Sequence, residues 1–166
     1  MKDEPLRKKA EQRAYRLLAL RAHSEKELQI KLRRGGFAEA VVDAVIEKCR
    51  ELGYLNDGNY ARQRARDLAV NRLAGDRRIA FDLRERGISE ELSREAIAEV
   101  RRELSQEEAV DRILGKYSKE AAITGMDARE KAKWMRRLMG KGFPTGLIYR
   151  RIKGMEEEGI HDDDGE

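Results

Sequence analysis

Few side chains in this chain could do covalent or metal chemistry: one cysteine, Cys49, and two histidines, His23 and His161, in 166 residues. A nucleophilic thiol needs a base and an orienting group beside it. Cys49 instead falls in an apolar stripe with Val42, Val45, Ile46 and Leu52 and reads as a small buried hydrophobe. His23 directly precedes a serine placed to cap a helix, where a polar bridging residue is ordinary. His161 with Asp162, Asp163 and Asp164 could offer ligands to a divalent cation, but a short terminal run has no fixed geometry. Zinc sites built from His and Cys need more ligands than these. Gly140-Lys141-Gly142 is too short for a phosphate-binding loop and reads as a helix end. No metal, no cofactor and no enzymatic activity are expected.

Charge is the chemistry that remains. The chain carries 36 Lys and Arg against 32 Asp and Glu. Seven of those acids lie between residues 156 and 166, where there is no Lys or Arg, so residues 1–155 hold a formal +11. A body of that charge attracts a polyanion or an acidic protein surface. The basic residues gather around three segments: Arg33 and Arg34; Arg72, Arg77, Arg78, Arg84 and Arg86; and Lys131, Lys133, Arg136, Arg137 and Lys141. If these segments are equivalent helices, the groups align into a basic strip. The opposing reading is that Arg is simply a strong helix former, with enough carboxylates along the same helices to pair with it. Trp134, Phe37 and Phe143 all fall at core positions, so aromatic platforms for stacking bases are nearly absent.

The elements that position these groups are legible as a triplet of matching helix endings. Leu28, Leu32 and Gly36-Phe37 are followed by Ile79, Leu83 and Gly87-Ile88, then by Trp134, Leu138 and Gly142-Phe143. In each, two apolar residues four apart share a helical face, and a glycine four positions later is followed at once by an apolar residue. Gly36, Gly87 and Gly142 are expected at positive φ, where a side chain is disfavoured. One supersecondary unit written three times is the signature of an array. The fold class expected is therefore all-α, an elongated tandem array of three three-helix, helix-turn-helix-like repeats.

About nine helices are predicted, near 8–22, 24–35, 38–52, 58–74, 76–86, 89–103, 105–117, 127–140 and 144–154. Ser24 with Glu27, Ser105 with Glu108 and Asp127 with Glu130 have the spacing of reciprocal caps, and Asp57, Asp76 and Ser89 that of simpler ones. The repeats are drawn at 8–55, 56–104 and 105–155, with 156–166 an acidic tail expected to be disordered. Residues 118–125 are the expected insertion. A lone cysteine cannot form an internal disulfide, and no stretch suits a membrane span or signal core, so a monomeric cytoplasmic protein is expected.

Three blocks in order resemble the RecX family of recombinase regulators. Ala14 to Leu28 with Lys31-Leu32 resembles its opening signature of an apolar helix, Arg, Ser and Glu-Leu. Gly53-Tyr54-Leu55-Asn56-Asp57 leading to Tyr60-Ala61 resembles its Gly-Tyr-Leu-Asp-Asp element, with Asn56 in place of the usual Asp. Ile79, Leu83 and Arg86-Gly87-Ile88 resemble the helix end of its middle repeat. In the third repeat Lys116-Tyr117 and Gly142-Phe143 are the clearest matches, and Gly35 departs from the basic residue often found before the first glycine. The resemblance implies a non-enzymatic regulator that lies in the groove of the RecA filament on single-stranded DNA and lowers strand exchange, ATP hydrolysis and co-protease activity. The partner implied is the RecA nucleoprotein filament, with non-specific contact to single- or double-stranded DNA in addition. A general DNA-binding protein acting without RecA, or a plain scaffold, are the rival readings of the same basic strip.

Overall fold

The computed structural model describes residues 4–118 and 126–161. Among them the regular structure is entirely helical, in the order α1 Glu4–Leu20, α2 Glu25–Arg34, α3 Glu39–Glu51, α4 Asp57–Arg66, α5 Asp76–Glu85, α6 Glu90–Glu103, α7 Gln106–Ser118, α8 Ala128–Gly140 and α9 Thr145–His161. The all-helical expectation holds, and interior boundaries move by only a few residues. The ends move further: α1 begins at Glu4, and α9 runs past the predicted stop to His161. The tail drawn from residue 156 is thus helical as far as His161, since Glu and Ile continue a helix and no proline interrupts it. Residues 162–166, and the part of the expected insertion at 119–125, lie outside the described residues. No described helix is long and apolar enough to cross a membrane.

The chain divides into two compact units, Met1–Arg64 with Asp82–Ala96, and Ala65–Phe81 with Ile97–Glu166. The division does not follow the repeat boundaries drawn from sequence, because it falls within the middle repeat, 56–104. In the first unit Ala10 and Ala14 of α1, Leu28 and Leu32 of α2, and Val42, Val45, Ile46 and Cys49 of α3 close one core with Leu55. In the second, Val110, Ile113 and Leu114 of α7, Leu138 of α8, and Leu147, Ile148 and Ile152 of α9 close another around Phe143. Both cores are built from residues three and four apart, the spacing that puts an apolar stripe on one helical face.

The helix endings share one local geometry. Gly36, Gly87 and Gly142 lie at φ +85°, +77° and +93°. Each glycine N–H donates to the carbonyl three residues back, at 2.9 Å in all three. The next residue donates five back: Phe37 to Leu32 at 3.5 Å, Ile88 to Leu83 at 3.0 Å and Phe143 to Leu138 at 3.3 Å. This is a Schellman ending, in which the left-handed residue lets the chain turn back and satisfy carbonyls the helix leaves open. The three accepting leucines are fully buried, so turn and core are specified together. A fourth ending of this kind, which the triplet does not include, stands at Gly53, with φ +73° and Tyr54 donating to Cys49 at 2.8 Å.

The helix starts are more varied than the sequence suggests. Ser24 with Glu27 and Ser105 with Glu108 form complete reciprocal caps, and Asp127 accepts from the Glu130 N–H at 2.8 Å. Ser89 caps α6 through the Leu92 N–H. Asp57 does not cap α4. Asn56 does, accepting from Asn59 at 2.8 Å, which leaves the Asp57 carboxylate to accept the Glu25 N–H at the start of α2. The first helix of the middle repeat ends in a π-helical segment, Asp67–Asn71, followed by Leu73 at φ +49°. A π turn takes up an additional residue without breaking a helix. It falls where this repeat is longer than the first: 18 residues separate Ala61 from Ile79, against 14 between Ala14 and Leu28.

Candidate functional site

The basic residues are placed by a backbone junction at the foot of α5. Within the second unit, the exit turn of α8 docks on the first turn of α5. Gly75 N–H donates to Lys141 O at 2.8 Å, Arg77 N–H to Gly142 O at 3.3 Å, and Asp76 N–H to the Gln106 Oε1 at 3.0 Å. These are donors that a helix start cannot satisfy itself. Asp76, expected as the cap, is instead the first helical residue, and its carboxylate accepts from Arg101 Nε at 2.6 Å. The contact leaves no room for side chains. A Cβ on Gly75 would stand 2.4 Å from the Gly142 carbonyl, and one on Gly142 would stand 2.5 Å from the Arg78 nitrogen.

The first unit contains the corresponding junction at the foot of α2. Ser24 Oγ donates to Arg86 O at 2.6 Å and Lys26 Nζ to Glu85 O at 3.1 Å. A Cβ on Gly87 would meet the Lys26 Cβ at 2.6 Å.

In the second unit the junction concentrates positive charge. Lys141, half-buried, donates from Nζ to Arg72 O at 2.9 Å. Its burial, followed by the charges of Arg137 and Lys116, lowers its pKa. Arg77 and Arg78 are exposed on the first turns of α5, and Lys133 and Arg136 are exposed on α8. Among the described residues none of these four forms an ion pair. Arg137 is exposed and stands over the Trp134 ring at 5.2 Å from its centroid, a cation–π contact. Arg72 is exposed and paired with Asp67 at 3.2 Å. In the first unit Arg34 and Arg84 are exposed, and Arg33 is paired with Glu39.

Arg86 does not belong with them. It is half-buried, its Nη1 reaches Glu27 at 2.7 Å and the Tyr60 hydroxyl at 3.2 Å, and its Nε reaches Asp82 at 2.8 Å. Arg64 grips the same Asp82 through both carboxylate oxygens at 2.8 Å. The hydrogen bond from Arg64 holds the Asp82 carboxyl down at about 2 against the opposing effect of burial, with Arg86 adding to it. A guanidinium so enclosed would have to surrender internal partners to reach an external one. Arg86 therefore drops out of the candidate surface and becomes a structural tie between segments 59 residues apart.

The residues with possible covalent or metal chemistry are not assembled. Cys49 is fully buried, and burial raises its thiol pKa. His23 is also buried: Nδ1 lies 2.9 Å from Arg21 O and Nε2 lies 2.7 Å from Lys31 Nζ. The pair fits a neutral ring that donates from Nδ1 and accepts from the lysine, and burial lowers its pKa. No group of three His, Cys, Asp or Glu able to hold a metal occurs among the described residues. Asp162, Asp163 and Asp164 lie outside them. A cleft of about 500 Å³ lined by Tyr15, Leu18, Ala19, Leu52 and Tyr54 is apolar, and one of about 520 Å³ lined by Val70, Asn71, Leu73, Arg112, Gly115 and Lys116 has cationic but no nucleophilic lining.

What sequence reasoning missed is Phe81, which is 49% exposed on α5 between the basic residues. Its signal is its phase: it lies two positions from both Ile79 and Leu83, opposite the buried stripe.

Comparison with known proteins agrees with this architecture. Residues 10–49 match the first three-helix domain of RecX and residues 56–97 the second. The regulatory protein RecX of Thermus thermophilus is 34% identical over 146 residues, spanning 88% of this chain and 92% of that protein. The chain belongs to the RecX family. The RecX of Syntrophotalea carbinolica is 30% identical over 137 residues, covering 82% of this chain and 90% of that one. A crystal structure of RecX from Lactobacillus salivarius superposes with a TM-score of 0.78 over 90% of this chain and 96% of that one, at 23% identity. A second RecX crystal structure gives 0.76, over 89% of this chain and 71% of that one, at 25% identity. RecX relatives are regulatory proteins, so a regulatory role follows for this chain as well.

Proposed function

We propose that this protein is a non-enzymatic, cytoplasmic regulator of RecA. It binds the RecA filament on single-stranded DNA and inhibits its recombinase, ATPase and co-protease activities, and so acts on DNA repair and the SOS response. Three repeats of three helices, the third at 105–155, supply the binding surface. RecX membership supports the regulatory role, and the resemblance read from sequence supplies RecA as the target.

The observation that carries the reading on the side of the chain itself is a division among its basic residues. Arg64, Arg86 and Arg101 are half-buried and tied to Asp82, Glu27 and Asp76, and Arg151 is paired with Asp111 nearer the surface. Arg77, Arg78, Lys133 and Arg136 are exposed and form no ion pair among the described residues. Other exposed arginines, such as Arg94, Arg102 and Arg150, also form no ion pair among the described residues; what sets Arg77, Arg78, Lys133 and Arg136 apart is that they lie on the two helices joined at the Gly75–Lys141 and Arg77–Gly142 contacts. Unbalanced cations raise the rate and affinity of docking onto an acidic surface or phosphates. Arg72, Arg137 and Lys141 of the same unit contribute flanking charge, and Arg33, Arg34 and Arg84 add to the charge of the first unit.

The test is charge reversal of Arg77, Arg78, Lys133 and Arg136 to Glu in a single-stranded-DNA-dependent RecA ATPase assay. The wild-type protein lowers the rate, and the variant, with unchanged helical content, does not. Undiminished inhibition would remove this surface from the mechanism. Titration into preformed filaments and into naked DNA at physiological salt separates the rival: equal affinity for both would favour a general DNA-binding protein.

A further inference from the structure

The second unit holds a cleft of about 520 Å³ whose two walls have different origins. One wall is α7. Arg112, Gly115 and Lys116, three and four residues apart, share a face, while Val110, Ile113 and Leu114 on the other side close the core. The facing wall is Val70, Asn71 and Leu73, so it is built by the π-helical segment and the turn that follows. Two features of these walls are not required by folding. Gly115 lies inside α7, where glycine weakens a helix, yet among the described residues nothing stands within 4 Å of a Cβ built on it. Packing does not demand glycine there, and the missing side chain leaves open space between Arg112 and Lys116. Leu73 is held at φ +49°, and strained backbone and π turns both collect at ligand sites.

The charge of the cleft is one-sided. Among the described residues its lining carries two cations and no carboxylate. Arg112 and Lys116 are exposed and form no ion pair among those residues. Glu108, one turn before Arg112, is held by the Ser105 N–H and hydroxyl, and Asp67 is engaged by Arg72 and the Asn71 amide. Lys116 acts on a further cation instead: burial first, then Arg137 and Lys116, lowers the Lys141 pKa.

We propose that this cleft binds a nucleoside phosphate, with Arg112 and Lys116 holding the phosphate and Val70 and Leu73 covering the sugar and base across the space left by Gly115. The volume falls within the range of small-molecule sites. An aliphatic wall facing convergent cations suits a ligand that is anionic at one end and flat and apolar at the other. The source is either a free nucleotide or a nucleotide of a single strand. Neither needs RecA, so this site and the RecA reading are tested separately.

Isothermal titration of the full chain with ATP, adenosine and inorganic phosphate tests the chemistry. ATP should bind saturably, and adenosine or phosphate alone should bind weaker by roughly tenfold or more. Gly115→Met fills the cleft with a side chain that favours helix, and Arg112→Gln/Lys116→Gln removes both cations. Each should weaken ATP binding by roughly tenfold or more while melting shows the fold retained. Arg102→Gln/Arg150→Gln removes the same charge from exposed positions of this unit outside the cleft, and should bind ATP like the wild type. Oligo-dT added to the ATP-loaded protein identifies the source: displacement marks a nucleotide within a strand, and no displacement marks the free nucleotide. Absence of saturable ATP binding overturns the proposal, as does equal affinity for inorganic phosphate. Undiminished affinity in both cleft variants overturns it too, and an equal loss in Arg102→Gln/Arg150→Gln would reduce the cleft to general positive charge.

Discussion

Alanine substitutions at Gly36, Gly53, Gly87 and Gly142 form a series in which one contribution is constant and another is graded. All four residues lie at φ between +73° and +93°, so each alanine meets the same left-handed penalty of about 1 to 2 kcal/mol. Their surroundings differ. At Gly36 and Gly53 nothing stands within 4 Å of a new Cβ. At Gly87 it would meet Lys26, whose Cδ at 2.7 Å can swing away but whose Cβ at 2.6 Å is fixed to α2. At Gly142 it would meet the Arg78 backbone nitrogen at 2.5 Å and Cβ at 2.7 Å, and only movement of the whole turn relieves that. Overpacking of this sort adds about 1 to 3 kcal/mol, toward the low end at Gly87 and the high end at Gly142.

The expected order of destabilisation is therefore Gly36 and Gly53 together at about 1 to 2 kcal/mol, then Gly87, then Gly142 at about 3 kcal/mol or more. Urea denaturation followed by circular dichroism reads the series directly. At about 2 to 4 °C per kcal/mol for a chain of this size, thermal melts should show the same order. A flat series, or Gly36→Ala as costly as Gly142→Ala, would mean that the docked turns carry no energy and that the junctions are misread.

Two further outcomes concern charge inside the first unit. Asp82 is held at about 2 in the fold against an ordinary 3.8. Its contribution is complete above about 4 and is lost as pH falls toward 2, where the folded-state carboxylate also protonates; after allowing for solvent screening it amounts to about 1 kcal/mol. Asp82→Asn should remove that part of the acid dependence of the urea midpoint, and an unchanged acid profile would refute the role given to Arg64 and Arg86. His23 is shifted in the same direction for a different reason: burial, then Arg21 and Lys31, lowers its pKa, so the unfolded chain takes up the proton more readily. Stability should decline as pH drops below about 6.5 and level off once the folded-state pKa is passed. His23→Gln should flatten that slope between pH 7 and 5, and a slope that persists would assign it elsewhere.

Much of this fold is legible residue by residue because its determinants are local. The periodicity of Leu28 and Leu32, the capping spacing of Ser24 and Glu27, and the glycine-plus-apolar endings depend on contacts within about five positions, and helix chemistry fixes their meaning. The RecX resemblance likewise rests on short contiguous blocks. The candidate surface was legible only in outline: the sequence indicates which segments are basic, but not which cations remain unpaired.

Amino-acid order alone therefore determined helices, their endings and the surplus of positive charge. Tertiary structure decided how that charge is used. Arg86 became an internal tie because Glu27, 59 residues away, reaches it. Asp57 and Asp76 turned from caps into acceptors for distant groups, while Gly75 needs its missing side chain because Gly142 passes beside it. Phe81 was left exposed because Ile79 and Leu83 claim the buried face of α5. For Arg86, the two aspartates and Gly75 the deciding partner lies far along the chain, and a side chain's charge or its absence acquires its role only when folding brings that partner within a few ångströms.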